Sequence, residues 1–111
     1  TPPPAFDTAY DLKYLRDFCD GDEAQVRPFI EKFETQWPLE MVKLEAAFSQ
    51  NDREAIYRAA HRFRPQLEFV GLKDAASLVF EIEQGARTDE SMDALTGLLE
   101  QLKKKLKATK A

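Results

Sequence analysis

One cysteine, one histidine, one tryptophan and four glycines are spread over 111 residues. A solitary Cys19 excludes an intramolecular disulfide and points to a reducing compartment. A single histidine beside a single cysteine is too poor a donor set for a zinc site of the usual kind. Nor is there a second histidine to complete a nuclease or hydrolase pair. Four glycines are too few for a fold of many short strands, and no stretch alternates with a period of two. No apolar run approaches the ~18 residues needed to span a bilayer, and no leader-like segment opens the sequence. A cytoplasmic location without membrane insertion is therefore expected. A glycine-rich phosphate loop is also missing, so no ATP-dependent kinase activity is expected.

What is present suits one globular domain. Apolar residues make up 43% and charged residues 32%, with a net charge of −4. That balance argues against nucleic acid as a partner, since its binders gather basic charge on one face. The one strong basic run, Lys103–Lys110, reads as a solvated last helical turn favoured by the helix dipole. Residues 1–7, with three consecutive prolines, read as a semi-rigid linker, and 8–111 as the domain.

Helical periodicity dominates that domain. A short first helix is expected from Leu12 to Cys19, capped by Asp11 and facing Leu12, Leu15 and Phe18 inward, before Asp20-Gly21 breaks it. Asp22 with Gln25 resembles a capping box for a second helix. Its stripe of Val26, Phe29/Ile30, Phe33, Trp37, Met41, Leu44 and Phe48 keeps phase through Pro38. An interior proline costs about 3 kcal/mol. The unbroken phase still favours one helix from Asp22 to Gln50, kinked near Pro38, over two helices split there. A third helix runs from Arg53 to about Val70 with Gly71 as terminator, and a fourth from Leu72 to near Gln84 with Gly85 closing it. The last carries Met92, Leu95, Leu98/Leu99, Leu102 and Leu106 on one stripe. The expected architecture is all-α, an antiparallel four-helix bundle with a short extra N-terminal helix.

The single histidine lies within the third bundle helix. Ile56, Ala59, Ala60, Phe63, Leu67 and Val70 define the inward arc of that helix, and His61 falls about 150° from its centre. His61 is thus expected to face water. Arg58 and Arg64, at i−3 and i+3, flank it on the same side. A neutral imidazole offers a nitrogen lone pair for attack, and neighbouring guanidinium groups would stabilise a phosphoryl group once attached. Pairing of those arginines with Glu54 and Glu68 along the helix is the structural alternative.

The segment Ala59-Ala60-His61-Arg62-Phe63-Arg64-Pro65-Gln66-Leu67-Glu68-Phe69-Val70-Gly71-Leu72 resembles the signature of histidine-containing phosphotransfer (HPt) domains. In that family the phospho-accepting histidine is followed by a basic residue three positions on and a glycine ten positions on, matched here by Arg64 and Gly71. A carboxylate or amide often follows on the next helix, at the position of Glu83. The rotation of that helix puts Glu83 at the border of its inward face, within reach of Nδ1. The family more often has Lys, Gly and Ser where this chain has Arg64, Pro65 and Gln66. The resemblance implies that His61 accepts a phosphoryl group from a receiver-domain aspartate and passes it on, with Arg64, Arg58 and Glu83 assisting. Mg²⁺ would come from the receiver, and the chain would need no cofactor of its own. Pro65 shares the face of His61, while Phe69 and Phe80 lie off their inward arcs, with Ala76 beside Phe80. Together with Gly71 they form the expected receiver-docking surface of a monomer. Two rival expectations are an interaction module of the same fold without phosphotransfer, and a dimer zipped by the Met92–Leu106 stripe.

Overall fold

The computed structural model describes residues 12–108. Five helices follow one another: α1 (Lys13–Phe18), α2 (Glu23–Ser49), α3 (Arg53–Phe69), α4 (Lys73–Ala86) and α5 (Met92–Ala108). No strand occurs among the described residues. The expected linker and the Asp11 cap lie outside them.

Local chemistry accounts for the boundaries. Asp22 and Asp52 are extended N-caps whose carboxylates accept from the backbone N–H groups of Ala24 (2.9 Å) and Ala55 (3.1 Å). At the end of α3, Leu72 N–H bonds the Leu67 carbonyl (2.9 Å) and Gly71 N–H bonds that of Glu68 (3.1 Å). This paired closure requires a left-handed residue, and Gly71 supplies it with φ 76°. Asp20 (φ 54°) and Asn51 (φ 51°) close α1 and α2 in the same way, with Gly21 N–H on Arg16 and Asp52 N–H on Ala47.

Helix α2 is continuous through Pro28 and Pro38, as one helix rather than two. Val26, Ile30, Phe33, Met41 and Leu44 are buried along it, while Phe29, Trp37 and Phe48 pack at its rim. Ala47 and the carboxylate Glu40 take inward places that the apolar stripe did not indicate. Glu40 is accommodated by Gln66, whose side-chain amide donates to Oε2 at 3.2 Å. In α1 the inward residues are Leu12, Leu15 and Cys19, and Phe18 is 60% exposed, contrary to expectation. Phe18 instead meets Phe29 and Phe69 edge-on, with ring centroids 5.9 and 5.6 Å away. Burial, reinforced by the carboxylates of Asp22 and Asp20, pushes the Cys19 thiol pKa up.

Helices α2 to α5 run up and down about one core. Arg53, opening α3, donates to the carbonyls of Gly85 and Thr88 (3.2 Å each) and of Glu90, fastening the α4–α5 turn. Lys105 near the end of α5 reaches Asp74 at the start of α4 (3.7 Å), and Lys103 pairs with Glu45 of α2 (2.8 Å). The hydrogen bond to Glu45 raises the Lys103 pKa above its ordinary value. Leu95, Leu99, Leu102 and Leu106 are buried inside this bundle, so the stripe expected to zip a dimer is occupied within the chain. Gly85 lies inside α4, not after it. A Cβ there would come within 2.6 Å of Leu95 Cδ2 and 3.2 Å of Glu90 Cβ, so this glycine permits the close approach of the following turn and α5.

Candidate functional site on the α3–α4 face

Three residues of α3, Tyr57, His61 and Arg64, stand at i−4, i and i+3 and so share one side of the helix. On α4, Phe80, Glu83 and Arg87 stand in the matching order i−3, i and i+4 about Glu83. Antiparallel packing of the two helices faces these sets as three rungs of one register. His61 meets Glu83 in the middle, Tyr57 meets Arg87 on one side and Arg64 meets Phe80 on the other.

The His61 side chain is 58% exposed, with Ile56, Ala60, Phe63 and Leu67 buried on other sides of α3. Its Nδ1 lies 2.9 Å from Glu83 Oε2. Glu83 is buried, its side chain only 4% exposed, deeper than the border position expected from helix rotation. The difference arises because its outer side is covered by His61 and Arg64 of the neighbouring helix, which a single helix cannot reveal. Arg64 Nε stands 3.4 Å from Glu83 Oε1, an ion pair in which neither atom makes a formed hydrogen bond. The Arg64 guanidinium lies over the Phe80 ring, 5.0 Å from its centroid. A buried carboxylate accepting from Nδ1–H holds the neutral imidazole in the tautomer whose lone pair is on Nε2. The site thus joins an exposed imidazole to a buried carboxylate and an adjacent guanidinium.

The other candidates fall in different places. Arg58 pairs with Glu54, one turn away on the exposed surface of α3, which is the structural alternative raised for it. Pro65 is exposed, within a helix that continues past it. Phe80 is 43% exposed. Phe69, expected on the docking surface, packs instead against Phe18 and Phe29, its ring centroid 5.3 Å from that of Phe29. Ala76 and Gly71 are buried, the first in the core and the second in the α3–α4 turn. The outward part of the docking set is therefore Pro65 and Phe80. Beside Phe80 opens a hollow of ≈ 450 Å³, lined by Arg64, Glu68, Lys73, Ser77 and Glu81 and also by Ala76 of the docking set.

Two residues of this register, Tyr57 beside His61 and Arg87 beside Tyr57, are not singled out by the sequence. Tyr57 stacks on the imidazole with centroids 5.6 Å apart and planes inclined by 20°. Arg87 places its guanidinium 4.9 Å from the Tyr57 ring centre and donates to the Tyr57 hydroxyl at 3.4 Å. Their signals were the spacings from His61 and Glu83, one helical turn in each case. Among the described residues, no group of three or more His, Cys, Asp or Glu side chains is arranged to hold a metal ion. No described helix is long and apolar enough to cross a membrane.

Fold and site define an all-helical bundle organised around one exposed histidine tied to a buried carboxylate. Within that class the chain belongs to the Hpt domain family, whose model matches residues 28–111. The match takes in both site helices and leaves α1 and the first turn of α2 outside. No curated protein and no solved structure matches the chain significantly. Hpt domains are the phosphotransfer modules of two-component systems: they are phosphocarriers, not kinases, and they interact with receiver domains.

Proposed function

We propose that this chain carries a phosphoryl group on His61 Nε2, accepting it from a receiver-domain aspartyl phosphate and passing it to the aspartate of another receiver. The observation that carries the reading is the 2.9 Å contact between Nδ1 of an exposed imidazole and a buried carboxylate, which leaves Nε2 for the reaction. In the forward step the Nε2 lone pair attacks phosphorus in line as the P–O bond to the aspartate breaks, and the aspartate leaves as carboxylate. The Nδ1 proton stays in place, so the ring becomes cationic as the N–P bond forms, and Glu83 stabilises that charge. Arg64, one turn from His61 on the same side of α3, turns from Glu83 to the incoming oxygens and supplies charge with fork geometry. Positioning and charge neutralisation do most of the work in such transfers. Mg²⁺ is supplied by the receiver.

Docking falls on the side of the bundle that carries Pro65 and Phe80, where an exposed aromatic ring adjoins Arg64. The test is incubation with a phosphorylated receiver domain and assay of acid-labile, alkali-stable phosphate on this chain. Wild type is expected to take up phosphate and His61→Gln none, with equal helical content. Uptake that persists in His61→Gln overturns the assignment. Binding without uptake by wild type would instead make the chain an interaction module.

A further inference from the structure

A hydrogen bond at one ring nitrogen does not fix an imidazole. The side chain hangs on two torsions, and the second has broad wells. With only Glu83 holding Nδ1, the ring can still pivot about the Nδ1···Oε2 line and sweep Nε2 through an arc. In-line attack on a bound phosphoryl group needs that arc closed, because small displacements of the attacking atom cost large factors in rate. A second restraint must act on the face of the ring.

We propose that Tyr57, clamped by Arg87, is the positioning residue that supplies it. The inference rests on His61 being the phosphoacceptor. The Tyr57 ring lies nearly parallel to the imidazole, 20° from coplanar with centroids 5.6 Å apart, an offset stack from the preceding turn of the same helix. Tyr57 is itself held: it is half-buried, Arg87 covers its ring at 4.9 Å, and Arg87 donates to its hydroxyl at 3.4 Å. Arg87 follows Glu83 by one turn, so α4 fixes the edge of the imidazole directly and its face through Tyr57. Neither Tyr57 nor Arg87 needs to touch the phosphoryl group for this role.

The test separates a ring clamp from a residue that merely covers the helix seam. Tyr57→Leu keeps apolar bulk and removes the flat face, Tyr57→Phe keeps the face, and Arg87→Ala removes the clamp from an exposed position that cannot unfold the bundle. Phosphate uptake from a phosphorylated receiver is expected to slow about tenfold or more in Tyr57→Leu and to stay within about twofold of wild type in Tyr57→Phe. In unphosphorylated protein, the His61 ring ¹⁵N and ¹H NMR shifts should report a held Nδ1–H tautomer and a stacked ring in wild type and Tyr57→Phe. The stacked-ring signature should be lost in Tyr57→Leu and weakened in Arg87→Ala, while the Nδ1–H tautomer, held by Glu83, persists in both. Unchanged His61 shifts in both Tyr57→Leu and Arg87→Ala overturn the proposal, whatever the uptake rates. If wild type takes up no phosphate while the shifts change as expected, the phosphoacceptor reading falls and the ring clamp stands.

Discussion

A carboxylate with 4% of its side chain exposed survives in a bundle only with partners, because its desolvation costs several kcal/mol. Glu83 has two, and the one at hydrogen-bond distance is His61. The energetic sense of this pair is inverted from what exposure suggests. His61 stands mostly in water, where substitutions usually change stability by no more than about 0.5 kcal/mol. Removing its ring nevertheless strips a buried oxygen of its donor, a loss of about 1–3 kcal/mol. His61→Ala is therefore expected to lower unfolding free energy by that amount in urea titrations, while His61→Gln, whose amide can still donate, loses less. Equal stability of wild type and His61→Ala would mean that Glu83 draws nothing from the imidazole. The outward aim of His61 and the offset of Glu83 were legible in the sequence, since each follows from one helix and one spacing. The stacking of Tyr57, the position of Arg87 and the depth of Glu83 were not, because they arise between helices. Arg58 pairs with Glu54 on its own helix, one turn away, the local alternative that the sequence also offers.

At the scale of elements, two glycines in similar helices have opposite roles. Gly97 sits inside α5 with open space where a side chain would go, and Gly85 sits inside α4 against Leu95 and Glu90. Replacing Gly97 with alanine should stabilise the protein by about 1 kcal/mol through helix propensity. Alanine at position 85 gains the same propensity but forces a methyl group against a fully buried leucine, and overpacking costs about 1–3 kcal/mol. Gly85→Ala is expected to be net destabilising by up to about 2 kcal/mol, so thermal melts should move in opposite directions for the two variants. A rise in melting temperature for Gly85→Ala would mean that Leu95 yields freely. The sequence alone reads Gly85 as the end of a helix, because the contact with Leu95 that holds it inside α4 arises between helices. The Asp22 cap and the Gly71 turn were legible, because they act through their own backbone neighbours. The single long α2 was legible from its unbroken phase. Phe18 was not, because six residues define an inward face too loosely for one apolar side chain to be assigned with the stripe.

For the whole molecule, the fold was the most legible property, since each of four long helices carries an apolar stripe and only a bundle can bury all four together. Charge distribution was less so. The net charge is −4, yet Arg58 and Arg62 stand exposed on α3 within one turn of His61, and Arg64 and Arg87 line the α3–α4 seam beside it. A chain that repels anions on average thus offers a cationic rim at the point where the proposed partner brings an acyl phosphate and the carboxylates that hold its Mg²⁺. Such a rim acts mainly on the rate of encounter, and a change of sign at its edge alters association more than dissociation. Arg62 suits the test because it is exposed and lies beside the reacting rung without belonging to it. Arg62→Glu should reduce the association rate with a phosphorylated receiver by about tenfold at low salt, with unchanged melting temperature. The difference from wild type should shrink as salt is raised towards 0.5 M, where the screening length falls to about 4 Å. Both rates would be measured by stopped-flow fluorescence on full-length protein at matched pH. Association rates that coincide at low salt, with both proteins folded, would show that the arginines serve only local pairing and that the receiver approaches from another side.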